Sequence, residues 1–176
     1  MNNFKKLENS RMENVNLKEE LKTTAHRANE AIQKSNQNEQ YSRKNNAKIF
    51  NMPEKQSEIL RTRMVQLVKE ATGKDVDQRD IIAIHRIPEP TGVSKPVIMK
   101  FMNSEAKIAI IKDKRKLKEK YSIQMTEDVT LLNMGLINRL SKHSKIESAW
   151  YFNCWVYAKT KLGRRLRFDL LMILMQ

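Results

Sequence analysis

Cysteine is almost missing from this chain: Cys154 is the single one in 176 residues. That excludes a disulfide framework, and with His26, His85 and His143 far apart no zinc-ligand spacing exists either. Long apolar runs are also absent. None approaches the roughly 18–20 residues that a membrane helix needs, and the opening MNNFKKLENS lacks the apolar centre of a signal peptide. No glycine-rich phosphate loop is present, and Asp75-Val76-Asp77 lacks the glycine and terminal glutamate of a calcium loop. These absences predict a soluble intracellular protein that is not an enzyme, with no metal, no cofactor and no membrane partner. Acidic side chains are scarce as well, 20 against 34 lysines and arginines, giving a formal charge of +14 that favours polyanionic partners.

That excess is concentrated. Residues 1–46 carry +3 and residues 47–94 carry +1, whereas residues 95–120 carry +6 and residues 139–167 carry +7. One lysine run alone reads as a solvated helix face. Two such segments in one small protein point to a binding surface.

Residues 1–42 hold no proline or glycine and predict one long helix. A heptad frame places Leu7, Asn14, Leu21, Ala28 and Ser35 at one seam position and Ser10, Leu17, Thr24, Ala31 and Asn38 at the other. Half of these are apolar, so the arm reads as a weak coiled coil whose Asn14 sets register, with a solvated, partly disordered arm as the alternative. Next, residues 47–52 predict a strand stopped by Pro53, and Ser57 is expected to cap a helix with Leu60, Met64, Leu67, Val68 and Ala71 inward and Gly73 at its exit. Asp80 to Ile87 reads as a second strand, the Pro88–Ser94 stretch as a loop, and Pro96 to Asn103 as a third strand with Val97, Met99 and Phe101 on one side.

Ser104 is expected to cap a second helix. Its inner stripe is Ala106, Ala109, Ile110 and Leu117, beside a basic stripe of Lys107, Lys114, Arg115 and Lys118. Ser122 to Met125 supplies a fourth strand. The order β-α-β-β-α-β is that of a ferredoxin-like split unit, with helices on one face of the sheet and the other face open. Beyond it, Leu131 to Ser144 predicts a helix with Leu132, Leu136, Ile137 and Leu140 inward. The aromatic AWYFNCWVYAK follows, with a tight turn at Asn153-Cys154, Cys154 itself packing as a buried small residue, and a last strand near Leu166–Phe168. About 40 residues are too few to bury a core alone, so this appendix is expected to lean on the preceding domain. The ending LLMILMQ reads as an exposed apolar tail.

The α+β chain thus divides into a helical arm (1–42), an RRM-like domain (43–127), a small α+β C-terminal domain (128–170) and an apolar tail (171–176) that has the look of an altered terminus. RRM-type modules stack bases on aromatics of their first and third strands. Phe50 falls on the open side of the first strand, whereas the third offers Ile98 and Lys100, so phosphate contacts are expected to outweigh base reading.

In order, SRKNNAKIFNMPE, DIIAIHRIPEP, KPVIMKF, KDKRKLKEKY, SIQMTEDVT and AWYFNCWVYAK resemble the first-open-reading-frame protein of LINE-type retrotransposons over about residues 40–168. The baculovirus few-polyhedra protein, a viral DNA-binding protein, shares the same core. The resemblance implies a trimerising coiled coil (here Leu7, Asn14, Leu17, Leu21 and Ala28), a non-standard RRM and a C-terminal domain. Together these bind single-stranded RNA or DNA as a non-catalytic nucleic-acid chaperone, in cytoplasmic ribonucleoprotein particles with access to the nucleus. The binding residues it implies are Arg43, Lys44, Arg86, Lys95, Lys100, Lys112, Lys114, Arg115, Lys159 and Lys161, to which Phe50, Lys118 and Arg164 are added here. The chain departs from the pattern at Asn51 and Cys154, where the family has glycine, and at Asn16, where its trimer signature has glutamate. A second reading, from a different class, is a coiled-coil interaction protein whose basic patches meet acidic proteins.

Overall fold

The computed structural model describes residues 2–88 and 95–170, so the loop after Pro88 and the apolar ending after Leu170 lie outside the described residues. The chain is α+β, with a long N-terminal helix and two antiparallel sheets. Helix α1 (Asn2–Ser42) runs 41 residues, about 60 Å at 1.5 Å per residue. Most of it is exposed, but its last turns are not: Asn36 and Gln40 are almost fully buried.

Four strands, β1 (Asn46–Phe50), β2 (Ile81–Arg86), β3 (Val97–Phe101) and β4 (Gln124–Glu127), form the first sheet in the order β2-β3-β1-β4. Strict alternation places Ala47, Ile49, Val97, Met99 and Phe101 in the core. Helix α2 (Leu60–Thr72) covers that face with Met64 and Val68, and α3 (Ser104–Ile111) and α4 (Lys114–Tyr121) add Ile110 and Leu117. Gly73 ends α2 in the left-handed conformation that favours glycine, its N–H donating to the Lys69 carbonyl.

Several expected details are displaced. Ser57 caps nothing; it lies in a turn at φ 55°, and α2 begins at Leu60 without a side-chain cap. Asn103, not Ser104, caps α3 by accepting from the Ala106 N–H at 2.8 Å, while the Ser104 hydroxyl donates to the Asn45 side chain. The single basic helix is two helices, interrupted where Asp113 turns to Lys74 and Lys116. Ala109 is exposed, and Lys107 is buried beside Glu127, its ammonium 2.6 Å from that carboxylate. Lys107 therefore anchors the core edge instead of joining a basic stripe.

Helix α5 (Leu131–Lys142) packs on a second sheet, β5 (Ile146–Phe152), β6 (Trp155–Thr160) and β7 (Arg165–Phe168), in that order. Leu136, Leu140, Ile146, Val156, Ala158 and Leu170 make its own small core, so the first residue of the apolar ending is buried, not exposed. Leu132 faces solvent, and Asn133 is buried in its stead. The β5–β6 hairpin closes on two residues, Asn153 at φ 46° and Cys154 at φ 67°, the left-handed pair that matches the twist of a two-residue hairpin. Cys154 is thus a half-exposed turn residue and not a buried strand residue.

The second unit is joined to the rest through polar groups. Asp128, in the β4–α5 connector, is buried and accepts from Asn46 at 3.0 Å, Arg43 at 3.1 Å and Lys48 at 3.0 Å. Its own carbonyl accepts from the Gln40 side chain. Gln40 Oε1 in turn accepts from the Thr130 N–H and the Asn133 amide, both at 2.9 Å, and Asn36 accepts from the Thr130 hydroxyl at 2.7 Å. Thr130 also caps α5. One network therefore fixes the arm, β1 and α5 to one another.

Burial works to raise the Asp128 carboxyl, but hydrogen bonds from Asn46 and Lys48 and the charges of Lys48 and Arg43 outweigh it and hold it below the usual aspartate range. The stabilisation is complete above the unfolded value of about 3.9 and is lost as pH falls through the lower folded value. Asp128→Asn is expected to cost about 2–4 kcal/mol in urea denaturation at pH 7, with the difference from wild type narrowing in acid. Cys154→Gly relieves a left-handed cysteine and is expected to raise stability by about 1 kcal/mol in the same assay.

Candidate nucleic-acid interface

The side chains that the sequence marks as binding residues separate into structural cations and free ones. Arg43 belongs to the first group, bound to Asp128 and, at 2.6 Å, to Glu39. Arg86 belongs there too. It sits at the end of β2 on the core side, where its guanidinium donates to Glu58 at 2.7 Å and to the carbonyls of Met52, Pro53 and Lys95 at 3.0–3.1 Å. Arg63 meets the same carboxylate. Both arginines and Glu58 are largely buried, so Arg86 pins the β1–α2 loop and has no donor left for a phosphate.

Alternation along the first sheet leaves Lys48, Phe50, His85, Ile98 and Lys100 on the face away from the helices. Phe50 is half-buried and Lys100 exposed, which is where the sequence places them, and Lys48 lies beside them but is tethered to Asp128. Lys95 is exposed and 3.6 Å from Glu54. Lys112, Lys114, Arg115 and Lys118 are also exposed, but α4 packs on the opposite, helical layer, so they do not share a surface with Lys100. Arg115 bonds Glu119 along its own helix; Lys112, Lys114 and Lys118 make no ion pair among the described residues.

Lys44 comes to a different place. Its ammonium lies 5.7 Å over the Tyr41 ring, in a cleft of about 360 Å³ lined by Gln37, Tyr41, Lys44, Asn153, Cys154 and Trp155. This cleft is where the end of α1 meets the β5–β6 turn. On the second sheet Lys159 is paired with Glu147 at 2.9 Å, and Lys161 and Arg164 are exposed in the β6–β7 turn. The binding surface that the two basic segments suggest therefore resolves into separate clusters: the open sheet face, the α4 layer, the Tyr41 cleft and the second sheet.

The aromatic face of that second sheet is a feature the sequence expectations lack. Register places Trp150 opposite Tyr157 and Phe152 opposite Trp155, with Arg165 and Arg167 alongside on β7. The signal was available in AWYFNCWVYAK, since a two-residue turn brings alternate aromatics of both strands to one side. Among the described residues, no group of three or more His, Cys, Asp or Glu could hold a metal ion, and no helix is long and apolar enough to cross a membrane.

Burial raises the Glu58 carboxyl, yet hydrogen bonds from Arg86 and Arg63, and their charges, more than offset it and hold it below the usual glutamate range. Stability drawn from this cluster is present above about pH 4.3 and fades as pH falls through the lowered value. Arg86→Ala is expected to lower unfolding stability by about 3 kcal/mol at pH 7, as measured in urea, because it leaves a buried carboxylate with one partner fewer. No family model and no curated protein matches the chain.

Proposed function

We propose that this protein binds single-stranded RNA or DNA with little sequence preference, coating the strand as a nucleic-acid chaperone in a ribonucleoprotein particle of the LINE first-open-reading-frame type. The observation that carries the reading is the set of exposed cations left without carboxylate partners among the described residues, chiefly Lys112 at the end of α3, Lys114 and Lys118 on α4, and Lys161, Arg164 and Arg165 around β7. Cations meant only to stabilise the fold are paired here, as Arg43, Arg86 and Lys107 are. Unpaired ones release counterions when phosphates replace the solvent around them.

The RRM-like assignment belongs to the same proposal. Its support is an all-antiparallel sheet with β1 and β3 at the centre, helices on one face, and Phe50 and Lys100 on the other. Asn51 and Cys154, the two positions where the resembled family has glycine, both adopt positive φ, 59° and 67°. That agreement is local and physical: glycine is the residue such backbone favours. Self-association through α1 is supported by Leu7, Leu17 and Leu21, which are all more than half exposed, while the Asn14 amide turns back on the Ser10 carbonyl.

Anisotropy titration of the full chain with a labelled single-stranded oligonucleotide tests the function. Affinity is expected to fall on the order of 10³-fold between 50 and 200 mM salt if about six phosphates are neutralised. Reversing Lys114, Arg115 and Lys118 to glutamate should reduce both the affinity and the salt slope, with the circular dichroism spectrum unchanged. Salt-independent or undetectable binding by wild type would overturn the proposal.

A further inference from the structure

The second sheet has two unlike faces. One is the small core against α5; the other carries Trp150, Phe152, Trp155, Tyr157, Arg165 and Arg167. Trp150 and Tyr157 are stacked with centroids 6.1 Å apart and planes 18° from parallel, so the aromatic surface is already arranged. The Arg167 guanidinium lies 4.2 Å from the centre of the Trp155 ring in a cation–π contact and pairs with no carboxylate among the described residues. A groove of about 370 Å³ runs between Trp150, Phe152, Tyr157, Arg165 and Arg167. Phe152 is half exposed and both arginines are exposed, an unusual outlay of aromatic and cationic surface for a sheet this small.

We infer that this face is a stacking platform for the unpaired bases of a single strand, distinct from the cations on α4 that meet phosphates alone. The inference rests on the nucleic-acid reading above and adds to it where the bases go. A plain apolar patch would suit a protein partner, but this one is interleaved with arginines, and the acid at its edge, Glu147, is paired with Lys159. Planar rings beside planar guanidinium groups suit a ligand that is itself flat, aromatic and strung on a polyanion. Bases inside a duplex have no free face, so the platform selects single strands. It also continues toward the Tyr41 and Lys44 cleft, because Trp155 belongs to both.

The chain's two tryptophans, Trp150 and Trp155, both stand on this face, so intrinsic fluorescence reads it directly. The full chain is titrated at low salt with oligothymidylate and with an abasic oligomer of equal length and charge, following anisotropy and tryptophan emission together. The expected result is that oligothymidylate quenches the emission and binds roughly 5- to 100-fold more tightly than the abasic strand. Tyr157→Leu or Arg167→Lys should shrink that ratio, whereas Lys114→Glu weakens both strands alike. Equal binding of the two strands, or binding without change in emission, overturns the stacking platform while leaving the phosphate reading in place. Binding of neither strand overturns both.

Discussion

The structure turns on one buried carboxylate. Asp128 lies where the first sheet ends and the second unit begins, and it gathers Arg43 from the exit of α1 with Asn46 and Lys48 from β1. An ionised group withdrawn from water this far is costly unless nearly every lone pair is occupied, and here three side chains occupy them. The consequence is specificity of placement. Two hydrophobic cores that form separate clusters among the described residues are held in one arrangement by hydrogen bonds whose directions leave little freedom. Asn36, Gln40, Thr130 and Asn133 extend the same logic by exchanging donors and acceptors in a buried layer, where a missing partner would leave an unsatisfied group.

Such a network also sorts the charges. A net excess of positive charge pushes a fold apart, and three acids meet the buried or half-buried cations: Glu58 with Arg63 and Arg86, Glu127 with Lys107, Asp128 with Arg43 and Lys48. These acids stabilise the interior, while the cations of α4 and the β6–β7 region stay exposed. Surface pairs such as Arg115 with Glu119 contribute little and are easily exchanged for a phosphate.

Elements governed by local periodicity were legible from the sequence, and those governed by distant partners were not. Val97, Met99 and Phe101 declare a buried strand face because alternation has only one solution when a core lies on one side. The turn at Asn153 and Cys154 is visible because it separates two alternating runs. Arg86 looked like a free cation because its partner Glu58 is 28 residues away, and Arg43 because Asp128 is 85 away. Lys107 was misplaced for a similar reason: the helix carrying it breaks at Asp113, which no propensity scale shows, and the acid that receives it is on β4. Ser57 and Ser104 are both good capping residues by type, but backbone geometry gave neither the role. In the last helix, Leu132 and Asn133 exchanged their expected places because a polar layer, not an apolar one, receives that turn.

The burial of Asn36 and Gln40 means that α1 leaves the body of the protein without a joint. Each residue of an α-helix advances the azimuth by about 100°, so the direction in which the body faces is set, residue by residue, by the distance to whatever grips the far end of the arm. Inserting one residue near Lys22 would swing both sheets a quarter-turn or more about the helix axis, and inserting seven would nearly restore them. The arm is therefore an angular index as well as a spacer: its length in residues sets which way the body faces relative to the arm's far end.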